Sequence, residues 1–411
     1  MKIATTLLTF WLLALSSFAN AQDRSAVQAA FQTWLANDIW PRAQAAGISA
    51  RTFDAALGNV VINWNLPDLI VNGRPLDSDQ QQAEFRPPAR YFRGGDLGYA
   101  VSTGAGLLAK HAGTLQQISR ATGVPAQTIV AIWGRESSFG KAAIPHDAFE
   151  ILSTKGFMSS RAPYFTDELI AALQIVEQGY AARDDLKSSW AGALGQPQFM
   201  PSNYLDYAVD FDANGHPDIW TSAQDTLASI GAYLQQHGWV AGRDWGFEVN
   251  VPNDIACALE GPDNGRAFND WAAMGIARVS GRPFPEIERA QVGYLMMPAG
   301  RFGPAFLVTP NFYVLKKYNE SDVYALFVGH VGDRMQYGGG DFRAGWQELD
   351  GFSRADITAL QARLVQDGFD VGGVDGLIGF KTRRAIGLWQ SRHNLAQTCY
   401  PTVQTVDMLV K

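Results

Sequence analysis

The chain has 411 residues, 47% of them hydrophobic, and a formal net charge of −7. That length is more than a single small core needs and points to one large domain with a smaller one. The acidic balance argues against a nucleic-acid partner, which would need clustered Lys and Arg, and two cysteines are too few for a disulfide scaffold.

Lys2, an apolar run from Leu7 to Leu15 and the small-residue stretch Ala19-Asn20-Ala21 have the grammar of a cleavable export signal over residues 1–21. The run is too short to anchor in a bilayer. No cysteine stands near the cleavage site for lipid attachment, so the mature chain is expected in the periplasm. Whether Cys257 and Cys399 pair there is open.

From Ser25 to Ala56 the spacing of Val27, Phe31 and Leu35 predicts an amphipathic helix, followed by a Pro- and Gly-punctuated stretch from Asn59 to Gly98. Helices are predicted over Leu107 to Thr122, Pro125 to Glu136, Thr166 to Tyr180 and Ala223 to His237. Between Trp245 and Phe312 short alternating runs, such as Phe247 to Val251 and Gly293 to Met296, predict a small sheet. Helix returns from Asn311 to Met335, and Gly338-Gly339-Gly340 reads as a flexible break. In the tail, Ser353 and Asp356 form a capping box ahead of Ile357, Leu360 and Leu364, and Gly368 sits at a helix C-cap. Ala385, Ile386 and Trp389 mark a second tail helix, and Val403, Val406 and Leu409 a third.

One residue stands out by helical phase. Ile129, Ile132 and Trp133 form an apolar stripe, and Glu136 continues it at i+7, i+4 and i+3. A desolvated carboxyl has a raised pKa, which a general acid needs at neutral pH. The bland alternative is a structural ion pair with Arg135 or Lys141. Gly134 to Lys141 is not a phosphate loop, because the glycine spacing is wrong and Ala142 replaces Ser or Thr. There is no Gly-x-Ser-x-Gly elbow and no His-Glu-x-x-His.

The segments Ile129 to Gly140, IVAIWGRESSFG, and Ser189 to Tyr204, SWAGALGQPQFMPSNY, resemble the membrane-bound lytic murein transglycosylase B family. The likeness extends through Ser160 to Phe165, Asp210 to Trp220 and Asn311 to Tyr324, covering most of residues 85–335. It implies an α+β, mostly α, lysozyme-like catalytic domain with a small β subdomain. It also implies cleavage of the β-1,4 bond between N-acetylmuramic acid and N-acetylglucosamine in peptidoglycan, leaving 1,6-anhydromuramic ends. Glu136 resembles the family's single catalytic acid, and no catalytic cofactor is implied. Ser189, Gln198, Arg161, Tyr164, Tyr91, Tyr318, Asn319 and Tyr324 resemble residues that hold the glycan strand. The tail, with LQARLVQDGF and VDGLIGFKTRRAIGLWQ, resembles a three-helix peptidoglycan-binding domain. The expected division is a signal peptide over 1–21, a catalytic domain over 22–337, a linker over 338–348 and the wall-binding domain over 349–411.

Asp210, Asp212, Asn214, Gly215, His216 and Asp218 match positions of a calcium-binding EF-hand loop, in which oxygen ligands alternate around a glycine turn. Thr221 replaces the usual bidentate Glu, and Asp225 is placed to supply an acid one turn later. The family resemblance implies a structural calcium ion here, held by Asp210, Asp212, Asn214, His216 through its backbone carbonyl, Asp218 and Asp225. The alternative is an acidic Asn-Gly turn. Competing functions are a hydrolytic muramidase, with Asp147 or Glu150 as the second carboxylate, and a noncatalytic wall-binding scaffold. Partners are expected to be glycan strands and other cell-wall enzymes, with the chain itself a monomer.

Overall fold

The computed structural model describes residues 24–70, 87–92 and 95–410. The expected export signal lies outside the described residues. The chain forms two compact units, Met1–Ser78 with Gly140–Ser229, and Asp79–Phe139 with Ile230–Lys411.

The first unit is helical around a core that includes Phe31, Leu35, Ile39, Leu57, Phe149, Leu152 and Leu173. The leading helix runs over residues 24–45 with a π-helical stretch at Leu35–Ile39, and Ala50–Leu57 follows as a separate helix. Ser49 starts that second helix by accepting a hydrogen bond from the Thr52 amide. Ala148–Met158 and Ala162–Glu177 pack on each other. A two-stranded hairpin pairs β1 (His146–Asp147) with β2 (Lys187–Ser188).

The second unit packs the helix Ala126–Ser137 against Gly95–Lys110 and Asp322–Tyr337. The expected Leu107 to Thr122 helix is two elements, Gly95–Lys110 and Ala112–Thr122, and the expected Asn311 to Met335 helix is likewise Pro310–Tyr318 and Asp322–Tyr337. In the second case the Ser321 side chain caps a fresh helix start and the Asn319 side chain turns the chain between them. An antiparallel sheet of β3 (Gly246–Asn250), β4 (Arg266–Ala267), β5 (Ala277–Arg278), β6 (Val292–Met296) and β7 (Ala305–Val308) has the order β4-β6-β7-β3-β5. Leu307 is the register partner of both Phe247 and Leu295. The sheet's Phe247 and Leu295 share a core with Phe268 and Trp271 of the helix Phe268–Ala273.

The tail has its three helices, Arg354–Gln366, Phe380–Arg392 and Val403–Val410, around Leu360, Leu364, Ile386 and Trp389. The capping box of Ser353 and Asp356 forms as expected. Gly338–Gly340, the expected flexible break, are exposed, and the rest of the expected linker, residues 341–348, is a fastened strap. Trp346 stacks on Phe92 with centroids 5.3 Å apart, and Phe342 lies 4.0 Å from the His330 ring. Glu248 accepts from the amides of Arg343 and Ala344 at 3.1 and 2.8 Å. A disulfide joins Cys257, next to the sheet, to Cys399 in the tail, settling the pairing that composition left open.

Candidate active site

Pro125, in extended conformation, starts the helix that carries Glu136, and Ile129 and Ile132 are fully buried beneath it. Glu136 Oε1 accepts a hydrogen bond of 2.6 Å from the Tyr324 hydroxyl. Burial pushes the Glu136 carboxyl up to about 7, against the opposing effects of that bond and the Arg135 charge. A carboxyl titrating there can give a proton and take one back at neutral pH. Burial, followed by the neighbouring Glu136 charge, drives the Tyr324 phenol well above its ordinary range, so it remains a donor. The same two causes act on Tyr318, whose ring meets Tyr233 edge-on at 4.8 Å.

Arg135 does not form the structural ion pair weighed above. Its Nη2 donates to Tyr91 Oη at 2.6 Å, and its guanidinium lies over the Tyr91 and Phe327 rings at 4.6 and 5.3 Å. Glu136 therefore feels Arg135 as a charge while its hydrogen bond comes from Tyr324. Asn319 is exposed at the end of the helix Pro310–Tyr318, where its Oδ1 accepts from the Ser321 amide at 3.0 Å. Glu136, Tyr318, Tyr324, Asn319 and, through Arg135, Tyr91 are thus gathered in the second unit.

The backbone beyond Glu136 is unusual. Ser138, Phe139 and Gly140 take successive φ values of 50°, 61° and 77°. Two consecutive non-glycine residues in the left-handed region are costly and concentrate at functional sites. The turn folds the Phe139 ring back over Gly134, where a Cβ would stand 2.6 Å from it. That close approach is why Gly134 interrupts the helix face.

The first unit holds the remaining candidates. Ser189 Oγ accepts from the Ala193 amide at 3.2 Å, and Gln198, with φ 55°, donates to the Gly195 carbonyl at 3.0 Å. The Arg161 guanidinium covers the Tyr164 ring at 4.3 Å. Trp190, beside Ser189, is 46% exposed, and the Lys155 ammonium lies 4.9 Å from its ring. Asp147 and Glu150, weighed as water-activating carboxylates, have other partners. Asp147 caps the helix Ala148–Met158 and pairs with Arg183, while Glu150 accepts from Asn63 Nδ2 at 2.6 Å.

Three carboxylates of the expected metal set come together at the acidic loop. Carboxylate oxygens of Asp210, Asp212 and Asp225 lie within 4.8 Å of one another. Burial, then the Asp212 and Asp210 charges, raises Asp225. Asp218 stands outside this group, at a loop position that often reaches its ion through water. It accepts from the Trp220 and Thr221 amides at 2.9 and 2.8 Å. Asn214 Oδ1 accepts from the His216 amide at 3.3 Å, as Asp210 and Asp212 accept from the Asn214 amide, and the seventh loop position ligates through its backbone carbonyl, so the exposed His216 side chain is no obstacle.

The Transglycosylase SLT domain family matches residues 30–333, and a peptidoglycan binding domain family matches residues 353–409. The chain is 29% identical over 275 residues to the membrane-bound lytic murein transglycosylase B of Escherichia coli (strain K12), covering 64% of this chain and 73% of that one. A crystal structure of SltB3 from Pseudomonas aeruginosa in complex with NAG-anhNAM-pentapeptide superposes with a TM-score of 0.82 at 36% identity, covering 93% of this chain and 99% of that one. The Escherichia coli lytic transglycosylase Slt35 in complex with calcium gives a TM-score of 0.52 at 29% identity, with coverage of 62% and 80%.

Proposed function

The chain belongs to the transglycosylase SLT family and is a lytic transglycosylase acting on peptidoglycan, and from that premise we propose that Glu136 is its only proton-transferring residue. Glu136 protonates the glycosidic oxygen between N-acetylmuramic acid and N-acetylglucosamine. The muramic C6 hydroxyl attacks C1, the leaving oxygen departs with the proton, and Glu136 takes the C6 hydroxyl proton as the 1,6-anhydro ring closes. No water enters the products, so one carboxyl is enough, whereas hydrolysis uses a second to activate water or attack C1. The observation that carries this reading is a carboxyl raised to about 7 and held by the Tyr324 hydroxyl at 2.6 Å.

Tyr318, Asn319 and Tyr91 are proposed as sugar contacts, and so, each by its resemblance to a family residue, are Ser189, Gln198, Arg161 and Tyr164. Their hydroxyl, amide and aromatic groups suit N-acetyl groups and sugar faces. Residues 1–21 are proposed as an export signal, 22–337 as the catalytic part and 349–411 as the wall-binding part. Periplasmic action agrees with that signal and with the disulfide. Among the described residues no helix is long and apolar enough to cross a membrane.

A structural calcium ion is proposed at Asp210, Asp212 and Asp225, with Asn214, the His216 backbone carbonyl and Asp218 completing its oxygen ligands. Three convergent carboxylates, one of them fully buried, repel one another until a cation joins them. The ion would tie the loop to the start of the helix Ala223–Gln236 and take no part in proton transfer. Mass spectrometry of digested sacculi tests the reaction. Anhydromuropeptides are expected, and hydrated reducing ends would replace the proposal with a muramidase.

A further inference from the structure

A buried charge network connects the tail to the helices around Glu136. Arg383, in the tail helix Phe380–Arg392, has only 3% of its side chain exposed. Its Nε donates to Glu260 Oε1 and Oε2 at 3.0 and 3.1 Å, and its Nη2 to Glu260 Oε1 at 2.6 Å. The same Nη2 reaches Asp322 Oδ2 at 3.1 Å. Asp322 is the first residue of the helix that carries Tyr324, and its other oxygen accepts from Lys316 Nζ at 2.7 Å. Lys316 stands in the last turn of the helix that ends at Tyr318. One guanidinium from the tail is therefore joined, through Asp322 and Lys316, to both helices that place phenols at Glu136.

The arrangement is too buried and too connected to resemble a surface ion pair. Glu260 is fully buried and also accepts from the Met297 amide at 2.9 Å. Two cations balance two carboxylates, and the forked guanidinium imposes direction as well as charge. Gly261 adds close contact, since a Cβ there would stand 2.4 Å from the Phe380 ring. In a close-packed interior such a network has one geometry, and a shift at one end is felt at the other.

We infer that Arg383 is a positioning residue for glycan cleavage: by holding Asp322 it keeps the Tyr324 hydroxyl on the Glu136 carboxyl. The docked tail then sets the activity of the acid, beyond concentrating it at the wall. The inference rests on Glu136 being the acid.

The groups that face Glu136 are Arg135 from its own helix and Tyr324 and Tyr318 from the two neighbouring helices. The Tyr324 bond lowers the Glu136 titration, so loosening Tyr324 raises it. The test measures kcat, KM and the pH profile of the full chain on purified sacculi for wild type, Asp322→Asn, Arg383→Lys and Arg383→Met, beside Tm and sacculus pull-down. Asp322→Asn leaves Arg383 on Glu260 and so keeps the tail docked. Its kcat is expected to fall roughly tenfold, as for one weakened charge-assisted hydrogen bond, with KM and pull-down unchanged and the upper pH limb moved upward. Arg383→Lys recovers part of the activity that Arg383→Met loses. A folded Asp322→Asn with wild-type kcat and an unmoved pH limb overturns the inference, as does activity that falls only in step with sacculus binding. If Arg383→Met does not fold, Asp322→Asn and Arg383→Lys decide. An active Glu136→Gln in the same series would bring down the acid itself, whereas an inactive one beside a normal Asp322→Asn brings down only the role of Arg383.

Discussion

Glu136→Gln keeps the size of the side chain and its ability to accept from Tyr324, but not the proton. General acid-base catalysis is typically worth 10²- to 10⁴-fold, and loss of a lone acid and base should reach about 10⁴-fold in release of anhydromuropeptides. Because burial raises Glu136 to about 7 in the fold, the folded state holds this proton more tightly than the unfolded chain does. The stability this contributes is complete below the unfolded pKa and is lost as pH rises through about 7. Glu136→Gln should therefore melt like wild type in acid and above it at pH 8, as calorimetry across that window would show. Tyr324→Phe removes the 2.6 Å bond that lowers the acid. Its upper pH limb should move to higher pH, and an unmoved limb would mean that the phenol does not control the proton.

At the scale of elements, the acidic loop and the strap are both held in ways that can be undone separately. Calcium should raise Tm by mass action, since it binds the folded loop and not the unfolded chain. Asp210→Ala, which removes one of three convergent carboxylates, should abolish that shift. A Tm indifferent to calcium and to chelator would leave an acidic turn. The strap is pinned by Trp346, Phe342 and Glu248, so limited proteolysis at Gly338–Gly340 should be slow. Glu248→Ala, which leaves the Arg343 and Ala344 amides without their acceptor, should speed it several-fold on a timed gel. Equal rates would show that the side-chain contacts of the strap hold it unaided.

For the molecule as a whole, the Cys257–Cys399 disulfide closes a separation of 142 residues. Chain-entropy arguments give loops of this size on the order of 4 to 5 kcal/mol, less any strain. Replacing both cysteines with serine should lower the urea midpoint by a corresponding amount while leaving the tail helices formed, because their core of Leu360, Leu364, Ile386 and Trp389 is their own. Once nicked in the strap, the oxidised protein should run as one chain on a non-reducing gel and as two after reduction. Two bands without reductant would mean that the disulfide does not form in the mature protein.

The amino-acid sequence alone was enough for the apolar stripe leading to Glu136, the alternating strands and the capping box of Ser353, because these depend on neighbours within one or two turns, whereas the residues of a glycan-cleaving site were legible only through the family resemblance. It also showed where acids recur in the Asp210 loop. It did not show which of them converge: Asp225 joins Asp210 and Asp212 from the next helix. Nor could it pair Cys257 with Cys399, place Tyr324 on Glu136 across 188 residues, or join Arg383 to Glu260. Each of those pairings brings together groups far apart in the chain, and each was decided by how the helices and the sheet bury their apolar faces. Local pattern specifies the elements, whereas the partner of a buried charge is chosen only when packing has closed around it.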